Sequence, residues 1–155
     1  MIDQLKNLAP SEADLLLRAP LLVCILIAGA DNDIDKKEIK SAIELAKNRQ
    51  KKSKSDMVEF YKNVAEDFED KLKILIQSYP YEATQRNPLI TLDLQELNLV
   101  LPKIERGMAV EFYNTLRDIA QKMAESSGGL LGLKSIGAEE AKYISLPMIK
   151  DPASY

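Results

Sequence analysis

Residues 19–30 read Ala19-Pro-Leu-Leu-Val-Cys-Ile-Leu-Ile-Ala-Gly-Ala30, with Arg18 before the run and Asp31 after it. The length of this run decides the kind of protein. A helix needs about 20 apolar residues to cross a bilayer, and only twelve stand here. The expectation is a core helix apolar on all sides, with Leu22, Ile25 and Leu26 almost fully buried. Ser11 is its expected N-cap, with acidic Asp14 early in the helix. Pro20 either kinks this helix or starts a second one that runs to about Ala28. Cys24, inside the run, has no partner cysteine in the chain, so it reads as a buried structural thiol and nothing points to an oxidising compartment.

Working outward, Asp35-Lys-Lys-Glu38 is a capping box for a helix that ends near Arg49. After cap candidates at Ser53 and Ser55, Met57, Tyr61, Val64, Phe68, Leu72, Leu75 and Tyr79 step by three or four. One amphipathic helix reaching Pro80 is predicted, with Asp67–Lys71 and Glu69–Lys73 as i,i+4 pairs on its far side. A second apolar stretch, Leu89 to Leu101, stops before Pro102. Met108, Phe112, Leu116, Ile119 and Met123 then mark a helix broken at Gly128-Gly129. A last helix is predicted from about Ala138 to just before Pro147. No segment reads as a strand. The fold class is therefore all-α, one domain over residues 1–155 built as two helix–loop–helix halves, since this length supports one core and not two.

Composition excludes several functions. With 46% apolar and 29% charged residues the chain is that of a folded domain, and its net charge of −3 lacks the basic footprint of a nucleic-acid binder. There is no histidine, which removes Ser–His and Cys–His nucleophile pairs and the commonest zinc ligand. The first residues, with Asp3 and no apolar stretch after a basic start, do not read as a signal peptide. The expected compartment is the cytoplasm.

The densest candidate site is Asp31-Asn-Asp-Ile-Asp-Lys-Lys-Glu38. Asp31, Asp33, Asp35 and Glu38 offer carboxylates to a hard divalent cation of the Ca²⁺ or Mg²⁺ type. Set against an EF-hand loop, Glu38 falls at the twelfth position, where a bidentate Glu belongs. Ile27 and Gly29, however, take the first and third ligand positions without a side-chain oxygen. The pattern is half a calcium loop at best, and the reading as a turn shaped by Asp31 and Asn32, with a capped helix after it, stands ahead of the metal site. The segment Asp33–Ile39 also aligns in phase with Ser135–Ala141. That similarity is either a structural repeat, which would set Ile34 beside Ile136 and let Glu140 join the metal site, or shared capping chemistry.

Other motifs are weaker. Gly128 to Ser135 comes within one residue of a phosphate-binding loop, but Leu133 replaces the second glycine and a helix precedes it where a strand is needed. Arg49, Lys51, Lys52 and Lys54 form a short basic run, and Glu66, Asp67, Glu69 and Asp70 an acidic helix face. Both read as solvated surface.

Ala19-Pro20-x-Leu-Val-x-x-Leu-Ile-Ala-x-Ala30-Asp31, then Ile34-Asp35-x-x-Glu38, resemble the TerB-like family of tellurite resistance proteins. So do Leu97-Asn98 and a long helix ending in Ser127-Gly-Gly-x-x-Gly132, followed by Glu139-Glu140. The resemblance spans residues 12–144. It implies about seven helices, no enzymatic activity, metal chelation through acidic residues (here Asp31, Asp35 and Glu38), and a soluble partner role in membrane-linked stress systems. Asn32 stands where the family usually has glycine. The expected function is thus a non-catalytic adaptor of a tellurite or metal-stress response, with a protein partner and a weak divalent-metal site. The alternative is a protein-interaction module with no ligand of its own, which predicts exposed apolar residues near the Pro102 or Gly128 loops. An enzyme built on paired carboxylates and a metal is the least favoured reading.

Overall fold

The computed structural model describes residues 6–28, 36–49, 55–128 and 143–154, whose regular elements are all helices, with no strand among them. Helix α1, Pro10–Ala28, carries the apolar run through Pro20 as one element. Its start corrects the expected Ser11 cap. Pro10 takes the first helical position, where a missing N–H costs nothing. Glu12, two residues on, reaches back to accept a hydrogen bond from Ala9 N at 2.9 Å. Glu12 also accepts from Lys103 Nζ at 2.5 Å. That bond first, and the Ala9 bond second, hold its carboxyl below the usual carboxylate range.

Leu22, Ile25 and Leu26 are fully buried, as is Cys24, whose thiol is pushed far up by desolvation and stays protonated and inert. Because α1 is apolar on every side it sits at the centre of the bundle. It packs most extensively on α7 (Arg106–Gly128), and also touches α2 (Lys36–Arg49), α3 (Ser55–Ala65), α4 (Phe68–Gln77), α5 (Ala83–Gln95) and α6 (Leu97–Val100). One continuous core joins these elements, and no described helix is long and apolar enough to cross a membrane.

The helix predicted from Ser55 to Tyr79 is two helices. Between them Asp67 adopts φ 53 and ψ 34 in the left-handed region, which aspartate tolerates better than most side chains. Apolar spacing conceals the break, since Val64, Phe68 and Leu72 still step by four and all three are buried. Lys71 donates to the Asn63 carbonyl at 2.6 Å across the turn, instead of pairing with Asp67. Asp67→Val should therefore cost about 1–2 kcal/mol, and Asp67→Gly close to nothing, in urea denaturation. Equal stabilities for the two variants would contradict the left-handed assignment.

The apolar stretch placed at 89–101 starts earlier than predicted. Helix α5 opens at Ala83 and passes through Pro88, whose ring lies on the solvent side. After a turn at Glu96, itself in helical geometry (φ −66, ψ −17), α6 carries the same direction into a 3-10 turn, Leu101–Lys103. The segment 143–146 is a turn and not the end of the predicted last helix. The remainder of that helix lies outside the described residues.

The final segment is clasped onto the bundle. Asn98 donates through Nδ2 to the Met148 carbonyl at 2.9 Å and accepts from Lys150 N at 2.7 Å. Arg106 donates to the Ala153 carbonyl. Leu146 holds φ 50, unusual for a bulky side chain, while that side chain is fully buried. Packing and the Asn98 clamp together offset that strain. The clamp also fixes the rotation of α6, so that the neighbouring Leu99 faces solvent.

A candidate interaction surface on α5 and α6

Of the predicted metal ligands only Glu38 falls among the described residues. Helix α2 begins at Lys36, which puts Glu38 at the third helical position, as the capping box requires, and Glu38 is half-buried there. Asp31, Asp33, Asp35 and Glu140 lie outside the described residues, as do Ile34, Ile136 and the loop after Gly128. Among the described residues no three metal-ligating side chains converge.

The described residues present something else. Helix α5 turns Ala83, Arg86, Asn87, Ile90 and Leu94 inward, and α6 adds Leu97 and Val100. Helical periodicity then sends Thr84, Gln85, Pro88, Leu89, Leu92, Gln95, Glu96 and Leu99 outward, and all eight are exposed. Leu89 is 42% exposed, Leu92 58% and Leu99 70%, with Tyr81 at 77% just ahead of the helix. Gln85, Pro88, Leu92, Glu96 and Leu99 are spaced by three or four, so they form a seam along one side. From Gln85 to Leu99 it runs about 21 Å at 1.5 Å per residue.

Charge makes this face unusual. The chain as a whole is 29% charged, yet Glu96 is the only charged residue among those eight. On α4, by contrast, the exposed residues include Glu69, Asp70, Lys71 and Lys73 around Ile74. Scattered surface leucines are ordinary. A row of them with one charge among eight exposed positions has the charge-poor composition found at the centre of protein interfaces.

Polar groups frame the seam. Tyr79 donates its hydroxyl to Asp93 Oδ2, joining the end of α4 to α5. Burial first, and the adjacent Asp93 second, push the Tyr79 hydroxyl far above its ordinary range, so it remains a donor. Arg18 Nε lies 2.8 Å from Asp14 Oδ2 but off the line of its N–H. That contact is an ion pair on a side chain one-third exposed, worth at most about 1 kcal/mol. Arg18 also borders two clefts. One, of about 230 Å³, is walled by Leu17, Leu21, Ile74 and Leu75. The other, of about 280 Å³, is walled by Leu15, Glu96, Leu99 and Val100, and so opens beside the seam.

Beneath the seam, Arg86 and Asn87 are 2% and 5% exposed. Arg86 Nη1 donates to the Tyr81 carbonyl at 3.0 Å, and burial lowers its guanidinium pKa. Asn87 Oδ1 is buried with no hydrogen-bond partner among the described residues. Neither residue was expected inside. Starting the helix at Leu89 leaves both in a loop, whereas a start at Ala83 points them inward with Ile90 and Leu94.

No protein-family model, no curated protein and no solved structure matches this chain.

Proposed function

We propose that the chain is a non-catalytic adaptor domain whose working surface is the α5–α6 seam. One observation carries the reading: an exposed apolar row, Leu89, Leu92 and Leu99, on a face that over about four helical turns carries a single charged residue, Glu96, in an otherwise charged protein. Leu99 stands three residues before Pro102, where an interaction module was expected to expose apolar side chains. A photo-crosslinking residue at position 92, in cells that make the protein, should give a discrete adduct. The same residue at Lys73 on the charged face of α4 should give none. Adducts of equal yield at both positions, or none at 92, would overturn the reading.

The resemblance to TerB-like proteins gives this adaptor a setting, a response to metal or oxyanion stress in contact with a protein partner. It also adds a weakly held divalent cation at Asp31, Asp33, Asp35 and Glu38. Setting and cation rest on the sequence alone. A site with two empty ligand positions belongs in roughly the 10⁻⁴–10⁻³ M range. At ten times the dissociation constant a cation would add about 1.4 kcal/mol of stability. The expected result is a higher melting temperature in millimolar Ca²⁺, Mg²⁺ or Mn²⁺ for the parent and no shift for Glu38→Gln. An unchanged parent removes the cation and leaves the adaptor reading standing.

A further inference from the structure

The segment 146–153, a strap across α6 and α7, is held as a bound peptide is held. Among the described residues no main-chain hydrogen bond joins it to the helices. Asn98 reads it instead, donating through Nδ2 to the Met148 carbonyl at 2.9 Å and accepting from Lys150 N at 2.7 Å. Arg106, exposed at the start of α7, donates to the Ala153 carbonyl at 2.6 Å. All three bonds go to main-chain atoms, which any residue but proline supplies, so none depends on the strap's side chains. Apolar groups provide the selectivity. Leu146, Met148, Ile149 and Pro152 are buried, while Pro147, Lys150, Asp151 and Ala153 are exposed. Main-chain bonds for affinity and buried side chains for specificity are the two parts of peptide recognition.

We infer that residues 146–153 are a displaceable strap, and that the site they fill on α6 and α7 also accepts an extended segment of a partner protein. The strap is itself the template for that occupant. It calls for apolar side chains at the positions of Leu146, Met148, Ile149 and Pro152, and for an N–H at the position of Lys150. Lys150 and Asp151 are exposed, so the pattern asks for no charge. One residue biases the strap toward release. Leu146 holds φ 50, a strain that a segment arriving without the turn at 143–146 does not carry. The strap engages Asn98 and leaves the neighbouring Leu99 exposed. The site is therefore separate from the seam, and the inference does not rest on it.

Tethering favours the strap over a competitor. A segment in the same chain competes at an effective concentration on the order of millimolar. A free segment with the same contacts displaces half of it only near that concentration. Weakening the strap's own side chains shifts this balance by the affinity they lose, and leaves the site on α6 and α7 unaltered.

Nuclear magnetic resonance of the isotope-labelled full chain, titrated with an unlabelled synthetic peptide of residues 143–154, tests this. Two signals report on the site: the main-chain N–H of Lys150 belongs to the strap, and the side-chain amide of Asn98 to α6. The Lys150 signal should move to its unfolded position with a midpoint on the order of millimolar. The Asn98 signal should stay, because the peptide restores the same two bonds. Met148→Ser in the chain, with methionine kept in the peptide, should lower the midpoint about tenfold or more. Asn98→Leu should abolish displacement and the protection of the Lys150 N–H from hydrogen exchange, with α1 unchanged. If Met148→Ser does not fold, exchange in the parent decides. Corrected for intrinsic rates, the Lys150 N–H should exchange at least about a hundredfold faster than that of Leu26. Equal rates would mean that the strap opens only with the whole fold, and would overturn the inference. A Lys150 signal that ignores the peptide in both parent and Met148→Ser would do the same. So would an Asn98 signal that moves together with Lys150, or displacement that survives Asn98→Leu.

Discussion

Truncating Leu26 to alanine is expected to cost the fold about 2–5 kcal/mol. The side chain is fully buried in the last turn of α1, and α1 is packed by α7, α2, α5, α3 and α4. Neighbours held from so many directions cannot close over the vacated space, so the upper half of that range is the expected outcome. Urea denaturation should show a lower midpoint with an unchanged slope. A loss below about 0.5 kcal/mol is what a surface position gives, and would mean that α1 is not the centre of the bundle.

Phe60→Ala should cost as much or more, about 3–5 kcal/mol. Phe60 is 1% exposed and lies edge-to-face against two rings: Tyr61 at 5.1 Å between centroids and Phe112 at 5.5 Å. The second contact ties α3 to α7. Edge-to-face geometry adds about 0.5–1.5 kcal/mol beyond the buried area, and a double-mutant cycle with Phe112→Leu isolates it. The expected coupling lies in that range. A coupling of zero would mean that the two rings are merely close.

The difference between what was legible in the sequence and what was not has physical causes. The core helix could be read because twelve apolar residues are too many for an amphipathic stripe and too few for a membrane. The start of α2 could be read because Asp35-x-x-Glu38 is a local device, and Glu38 takes the position it demands. The break at Asp67 was hidden because one left-handed residue reverses the backbone locally while the apolar residues on either side keep their step of four. Leu146 is a second such residue, and nothing in its type announces it.

The seam was missed for a different reason. Periodicity finds a helix by the contrast between an apolar and a polar face, and α5 has little contrast. Ile90 and Leu94 point in while Leu89 and Leu92 point out. A segment apolar on both faces shows no exposed side, and the stretch from Leu89 to Leu101 reads only as a second apolar stretch. The acidic cluster shows the opposite case: its pattern is plain in the sequence, while of its carboxylates only Glu38 falls among the described residues.

The claim that matters most is that the α5–α6 face is covered when the protein works, whatever covers it. Hydroxyl-radical footprinting, performed in cells that make the protein and on the dilute purified chain, measures this directly at single side chains. Leu89, Leu92 and Leu99 should be labelled in the dilute chain and protected in cells. Leu45 and Ile74, which are 49% and 62% exposed on other helices, should be labelled alike in both. Equal labelling of all five residues in the two conditions would contradict the account.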